Sequence, residues 1–162
     1  MRVLIIEDNP LHARLIERLL GEVAPPVFEP VHVERLDAAL ARIDEGGIDV
    51  ALVDLVLPDS AGIDTFVRVH AHAPELPLVV LTGMDDLKVA MRAVEGGAND
   101  YLIKDRVDAV KLTRALRYAI ARVRARRREW DSPMLRVAQQ QLLKAAHVMG
   151  LDDNVRQRLL FQ

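Results

Sequence analysis

Asp49-Val50-Ala51-Leu52-Val53-Asp54 is a continuous apolar run closed at both ends by aspartate, the pattern of a strand covered on both faces. Outward from it lie two more short apolar runs that stop at a charge: Val3-Leu4-Ile5-Ile6 at Glu7-Asp8, and Tyr101-Leu102-Ile103 at Lys104. If the three are neighbouring parallel strands, one sheet edge carries three carboxylates and an ammonium. In open α/β sheets, ligands and chemistry collect outside the carboxyl ends of the strands. Clustered carboxylates repel one another and call for a hard cation such as Mg2+, which favours a few carboxylates plus water or phosphate oxygen. That edge is suited to a metal and a phosphoryl group.

Strand-like and helix-like patterns alternate five times. After the first run, Asn9 can cap a helix whose first turn takes Pro10, and Leu11, Leu15, Ile16, Leu19 and Leu20 recur at helical spacing. A Pro-rich break precedes a weaker strand at Val31-His32-Val33, then a helix over 37–45 that ends at Gly46-Gly47. Beyond Asp54, the loop Leu57-Pro58-Asp59-Ser60-Ala61-Gly62 leads into a helix with Ile63, Phe66, Val67 and His70 on one side. Pro77-Leu78-Val79-Val80-Leu81 is the fourth strand. A helix over about 86–95 closes at Gly96-Gly97, the fifth strand covers 100–103, and a fifth helix begins near Val107. Such alternation implies a parallel sheet with right-handed crossovers and helices on both faces.

Composition bounds the function. The chain has 162 residues, 51% of them hydrophobic, enough for one well-formed core and an appendage. A net charge of −2 gives no global reason to expect nucleic acid or an anionic membrane as partner. The absence of cysteine excludes disulfides and thiolate metal sites and fits a cytoplasmic protein. The first apolar run meets Glu7 too early to serve a signal peptide, and no apolar stretch approaches the ~20 residues that span a bilayer. The five histidines (12, 32, 70, 72, 147) show no ligand spacing and read as surface or packing residues.

The ordered set Glu7-Asp8, Asp54, Leu57-Pro58-Asp59-x-x-Gly62, Pro77-Leu78-Val79-Val80-Leu81-Thr82-Gly83 and Gly97-Ala98-Asn99-Asp100-Tyr101-Leu102-x-Lys104 closely resembles the receiver domains of two-component response regulators. The resemblance covers about residues 1–122. It implies an α/β, flavodoxin-like (βα)5 doubly wound parallel sheet of strand order 2-1-3-4-5. It also implies that Asp54 accepts a phosphoryl group from a sensor histidine kinase or phosphotransfer protein. Mg2+ would be held by Asp8, Asp54 and the backbone carbonyl of Val56, with Glu7 acting partly through water. Lys104 would pair with Asp54 or the phosphoryl oxygen, and Thr82 would donate its hydroxyl to another. Tyr101 would be the switch aromatic, turning inward as Thr82 is drawn to the phosphoryl group and so altering the surface of the fourth helix, fifth strand and fifth helix. The protein would itself be no independent enzyme.

Two positions depart from common members of that family. Asp105 follows Lys104 where proline is usual, so the loop there is expected to be looser. Val56 and Met84 are apolar where some fast members carry polar groups that orient an attacking water, so self-dephosphorylation is expected to be slow.

Past the receiver-like region, 123–131 reads as a linker helix, with Arg122, Arg124, Arg126, Arg127 and Arg128 crowding a helix C-terminus whose dipole they suit. Residues 132–162 read as a helical extension. Ser132-Pro133 starts a helix, and Leu135, Ala138, Leu142, Ala145 and Met149 form a seam that either packs back on the same chain or supports a homodimer or an output junction. The fourth-helix, fifth-strand and fifth-helix face is an alternative dimer surface. Residues 145–160 also resemble the N-terminal lead-in of glutamate/leucine-type amino-acid dehydrogenases, which implies the regulatory front of a receiver-dehydrogenase polypeptide. A phosphorylation-independent interaction scaffold is the remaining alternative.

Overall fold

The computed structural model describes residues 1–22 and 28–130, with scattered helical positions between 133 and 144. The strands are β1 (Arg2–Ile6), β2 (Glu29–Val33), β3 (Val50–Asp54), β4 (Leu78–Thr82) and β5 (Asp100–Ile103). The helices are α1 (Pro10–Gly21), α2 (Leu36–Asp44), α3 (Ile63–His72), α4 (Leu87–Glu95) and α5 (Ala109–Trp130). All pairs among these five strands are parallel and the sheet order is β2-β1-β3-β4-β5, which is the flavodoxin-like order implied by the resemblance.

Alternation along the strands divides the core in two. Val3, Ile5, Val50, Leu52, Val79 and Leu81 face one side with Ile16 and Leu20 of α1 and Leu112 and Leu116 of α5. Leu4, Ile6, Ala51, Val53, Leu78 and Val80 face the other, with Leu36 of α2, Phe66 and Val69 of α3 and Ala90 and Ala93 of α4. Every residue of β3 is buried, as expected of a central strand packed on both faces. Asn9 caps α1 through Oδ1, which accepts from the backbone N–H of Leu11 at 2.9 Å and of His12 at 3.4 Å. Two apolar positions depart from the helical stripes read in the sequence: Leu11 and Val67 are exposed, and Ala13 and Thr65 are buried on α1 and α3 instead.

α4 ends at Gly96-Gly97, where Gly97 has φ +119° and a Cβ would lie 3.0 Å from His70 Nε2. His70 stacks on Phe66, so the ring has little room to retreat. Gly97→Ala is therefore expected to cost about 1–3 kcal/mol, read from the urea midpoint. Gly21→Ala, where nothing lies within 4 Å, should be close to neutral.

The chain divides into two compact units, Met1–Val123 and Arg124–Gln162. The seam residues Leu135, Ala138, Leu142, Ala145 and Met149 and the dehydrogenase-like stretch lie outside the described residues. No described helix is long and apolar enough to cross a membrane.

Candidate functional site

Register brings the chemistry to one edge. Ile6 pairs with Val53, so Glu7 and Asp54 follow side by side. Asp54 pairs with Leu81 across the β3–β4 ladder, and Thr82 with Ile103, which leaves Lys104 as the next residue out. A short antiparallel hairpin, Val56–Leu57 with Ser60–Ala61, rises from Asp54 at the same edge. Asp54 and Thr82 are buried, Glu7 has no exposed surface, and Asp8 lies open to solvent.

Carboxylate oxygens of Glu7, Asp8 and Asp54 lie within 4.8 Å of one another. Lys104 Nζ sits 2.5 Å from Asp54 Oδ2 and 2.8 Å from Glu7 Oε2. The other oxygens are held by the backbone: Glu7 Oε1 accepts from Asn9 N–H at 3.0 Å and Asp54 Oδ1 from Val56 N–H at 3.1 Å. Burial, reinforced by the Asp54 carboxylate, pushes Glu7 above the usual carboxylate range despite Lys104 and Asn9. Burial also pulls on the Lys104 ammonium, but its bonds to Asp54 and Glu7 prevail and hold its pKa above the ordinary lysine value. Three carboxylates facing one ammonium leave an excess of negative charge, and all donors are hard oxygens. This set fits Mg2+.

Thr82 Oγ1 donates to the carbonyl of Gly83 at 3.0 Å, and Tyr101 is half-buried against the α2–α3–α4 side of the core. Lys104–Arg106 form a 3-10 turn. Lys111 Nζ of α5 donates to the Arg106 carbonyl in this turn at 3.0 Å.

Three neighbours of the site were not evident from sequence. His12 Nδ1 lies 3.8 Å from Glu7 Oε2, and His32 Nε2 lies 2.7 Å from the Glu7 carbonyl. His32 sits on β2 beside β1, so sheet order could have indicated it. Asp59, at the hairpin tip, accepts from the backbone N–H groups of Leu36 at 2.9 Å and Asp37 at 3.0 Å. Those partners lie 23 and 22 residues earlier, beyond any local signature.

The family model of the response regulator receiver domain matches residues 3–117. The chain is 34% identical over 107 residues to the cell cycle transcriptional regulator CtrA of Caulobacter vibrioides, covering 64% of this chain and 44% of that protein. It is 33% identical over 129 residues to the methanogenesis regulatory protein FilR1 of Methanothrix harundinacea, covering 78% and 29%. It thus spans less than half the length of these curated relatives. A response regulator receiver domain protein from Clostridium thermocellum superposes with TM-score 0.68 at 28% identity, over 76% of this chain and 97% of that one.

Proposed function

The chain belongs to the response regulator receiver domain family, and on that footing we propose that Asp54 is its phosphoryl acceptor. The observation that carries this is a buried carboxylate at the end of the central strand, in contact with Lys104 and beside Glu7 and Asp8. An Asp54 carboxylate oxygen attacks phosphorus of a phosphohistidine on a kinase or phosphotransfer protein. The P–N bond breaks, its electron pair stays on the imidazole, and an acyl phosphate forms. Asp8, Asp54, the Val56 carbonyl and, partly through water, Glu7 would hold Mg2+. When bound, the ion neutralises charge on the phosphoryl oxygens, so positioning and electrostatics supply most of the acceleration.

Lys104 is already poised to move from the carboxylate to a phosphoryl oxygen on its flexible stem. Thr82 exchanges its local bond to the Gly83 carbonyl for one to the phosphoryl group, and Tyr101 turns into the space left behind. The phosphoryl group thereby shifts an existing two-state equilibrium at the α4–β5–α5 face, which controls a partner or an attached output domain in the cytoplasm. Residues 1–122 serve as the receiver, 123–131 as linker and 132–162 as extension. The test is incubation with acetyl phosphate and Mg2+ and, separately, with a phosphohistidine donor. A wild-type chain that gains no phosphoryl mass from either would leave the phosphorylation-independent scaffold in its place.

Val56 and Met84 expose apolar side chains and offer no polar group to orient a hydrolytic water. The phosphorylated chain is therefore expected to persist for minutes or longer after donor removal, and Val56→Asn with Met84→Glu should shorten that decay. A lifetime of seconds in the wild type would contradict it.

A further inference from the structure

We propose that Asp59 is a positioning residue that holds the Val56 carbonyl at the metal site by anchoring its hairpin to α2. This rests on the Mg2+ assignment made above. The hairpin is secured at its base by Leu55, whose carbonyl accepts from Gly62 N–H at 2.7 Å and from Thr65 Oγ1 at 3.2 Å. Gly62, with φ +66°, permits the chain reversal there. At its tip the tether is Asp59: its two oxygens take the first amides of α2, and Arg35 Nη2 lies 3.8 Å away.

α2 depends on this contact as well. Its own N-cap position is Arg35, which makes no side-chain capping bond, so the orphan amides at the helix start are met by a carboxylate from another loop. Leu57 of the hairpin and Leu36 of α2 both belong to the same buried cluster on that side of the sheet. Val56 lies between base and tip, so its carbonyl is set by both anchors. Residues that orient metal ligands from outside the first layer commonly change affinity by about 10–100-fold.

A helix cap and a positioning tether are separable here. Arg35 has the extended backbone of an N-cap residue, φ −136° and ψ 150°, so serine at that position can cap α2 locally. The experiment is calorimetric titration of the full chain with Mg2+, paired with thermal midpoints. Asp59→Ala is expected to weaken Mg2+ binding about tenfold, and Asp59→Asn, which keeps one acceptor oxygen, by less. Arg35→Ser combined with Asp59→Ala is expected to regain the thermal midpoint while Mg2+ binding stays weak. Undiminished binding in Asp59→Ala, or in Asp59→Asn and the double variant should the alanine variant fail to fold, overturns the proposal, as does affinity that returns with the local cap. If wild type itself binds no Mg2+, the metal assignment falls and this inference falls with it.

Discussion

Asp54→Ala is expected to gain no phosphoryl mass from acetyl phosphate and Mg2+ under conditions where wild type gains one group. The loss should be complete rather than graded, because the substitution removes the attacking oxygen and not merely a partner that orients it. Among the described residues, the other two carboxylates of the cluster are placed differently. Glu7 is fully buried, with one oxygen on Asn9 N–H and the other on Lys104, and Asp8 is exposed past the end of β1. Asp8→Ala, which removes only a proposed metal ligand, should slow phosphoryl uptake without abolishing it. Intact-protein mass spectrometry over a time course separates the two. A full phosphoryl group on Asp54→Ala would show that the acceptor lies elsewhere.

Lys104→Met is expected to be the most destabilising single change at the site, by about 2–4 kcal/mol in Mg2+-free buffer at neutral pH. Removing one partner of a buried ion pair costs ~3–5 kcal/mol, and partial solvent access at Lys104 reduces that figure. The pH dependence carries the sign. Lys104 is held above its ordinary pKa, so its contribution is fully present below that ordinary value and is lost as pH rises through the raised one. Glu7 is also raised; its contribution is present below the usual carboxylate value and disappears as pH climbs through the elevated one. The gap between wild type and Lys104→Met should thus be widest from neutral to mildly alkaline pH. It should narrow towards acid, as Glu7 protonates in the variant, and towards strong alkali, as Lys104 deprotonates in wild type. Saturating Mg2+ should recover part of the loss by mass action on the folded state. Urea midpoints across pH measure all of this, and a gap independent of pH and of Mg2+ would contradict the electrostatic origin.

The sheet was legible because its strands are short, apolar and terminated by charge. Val50–Val53 has the pattern expected of a strand buried on both faces, and the charges at the ends of β1, β3 and β5 mark the edge without knowledge of the pairing. Strand order came from the family resemblance, since periodicity carries no information on which strands are neighbours. Helix faces were read less well. Leu11 and Val67 fit an apolar spacing yet face solvent, because small residues such as Ala13 can take a buried position and spacing alone does not rank them. In the sequence Asp59 stands only as part of a loop motif. Its contact with the α2 amides is tertiary, and no sequence rule links a hairpin tip to a helix start more than twenty residues earlier.

Borohydride reduction of the phosphorylated chain, followed by peptide sequencing in the mass spectrometer, tests the acceptor most directly, since reduction of an aspartyl phosphate marks the residue that bore it. The expected result is a single marked residue, Asp54, whether the donor is acetyl phosphate or a phosphohistidine protein. A mark at any other residue, or none from either donor while the chain remains folded, would contradict the account.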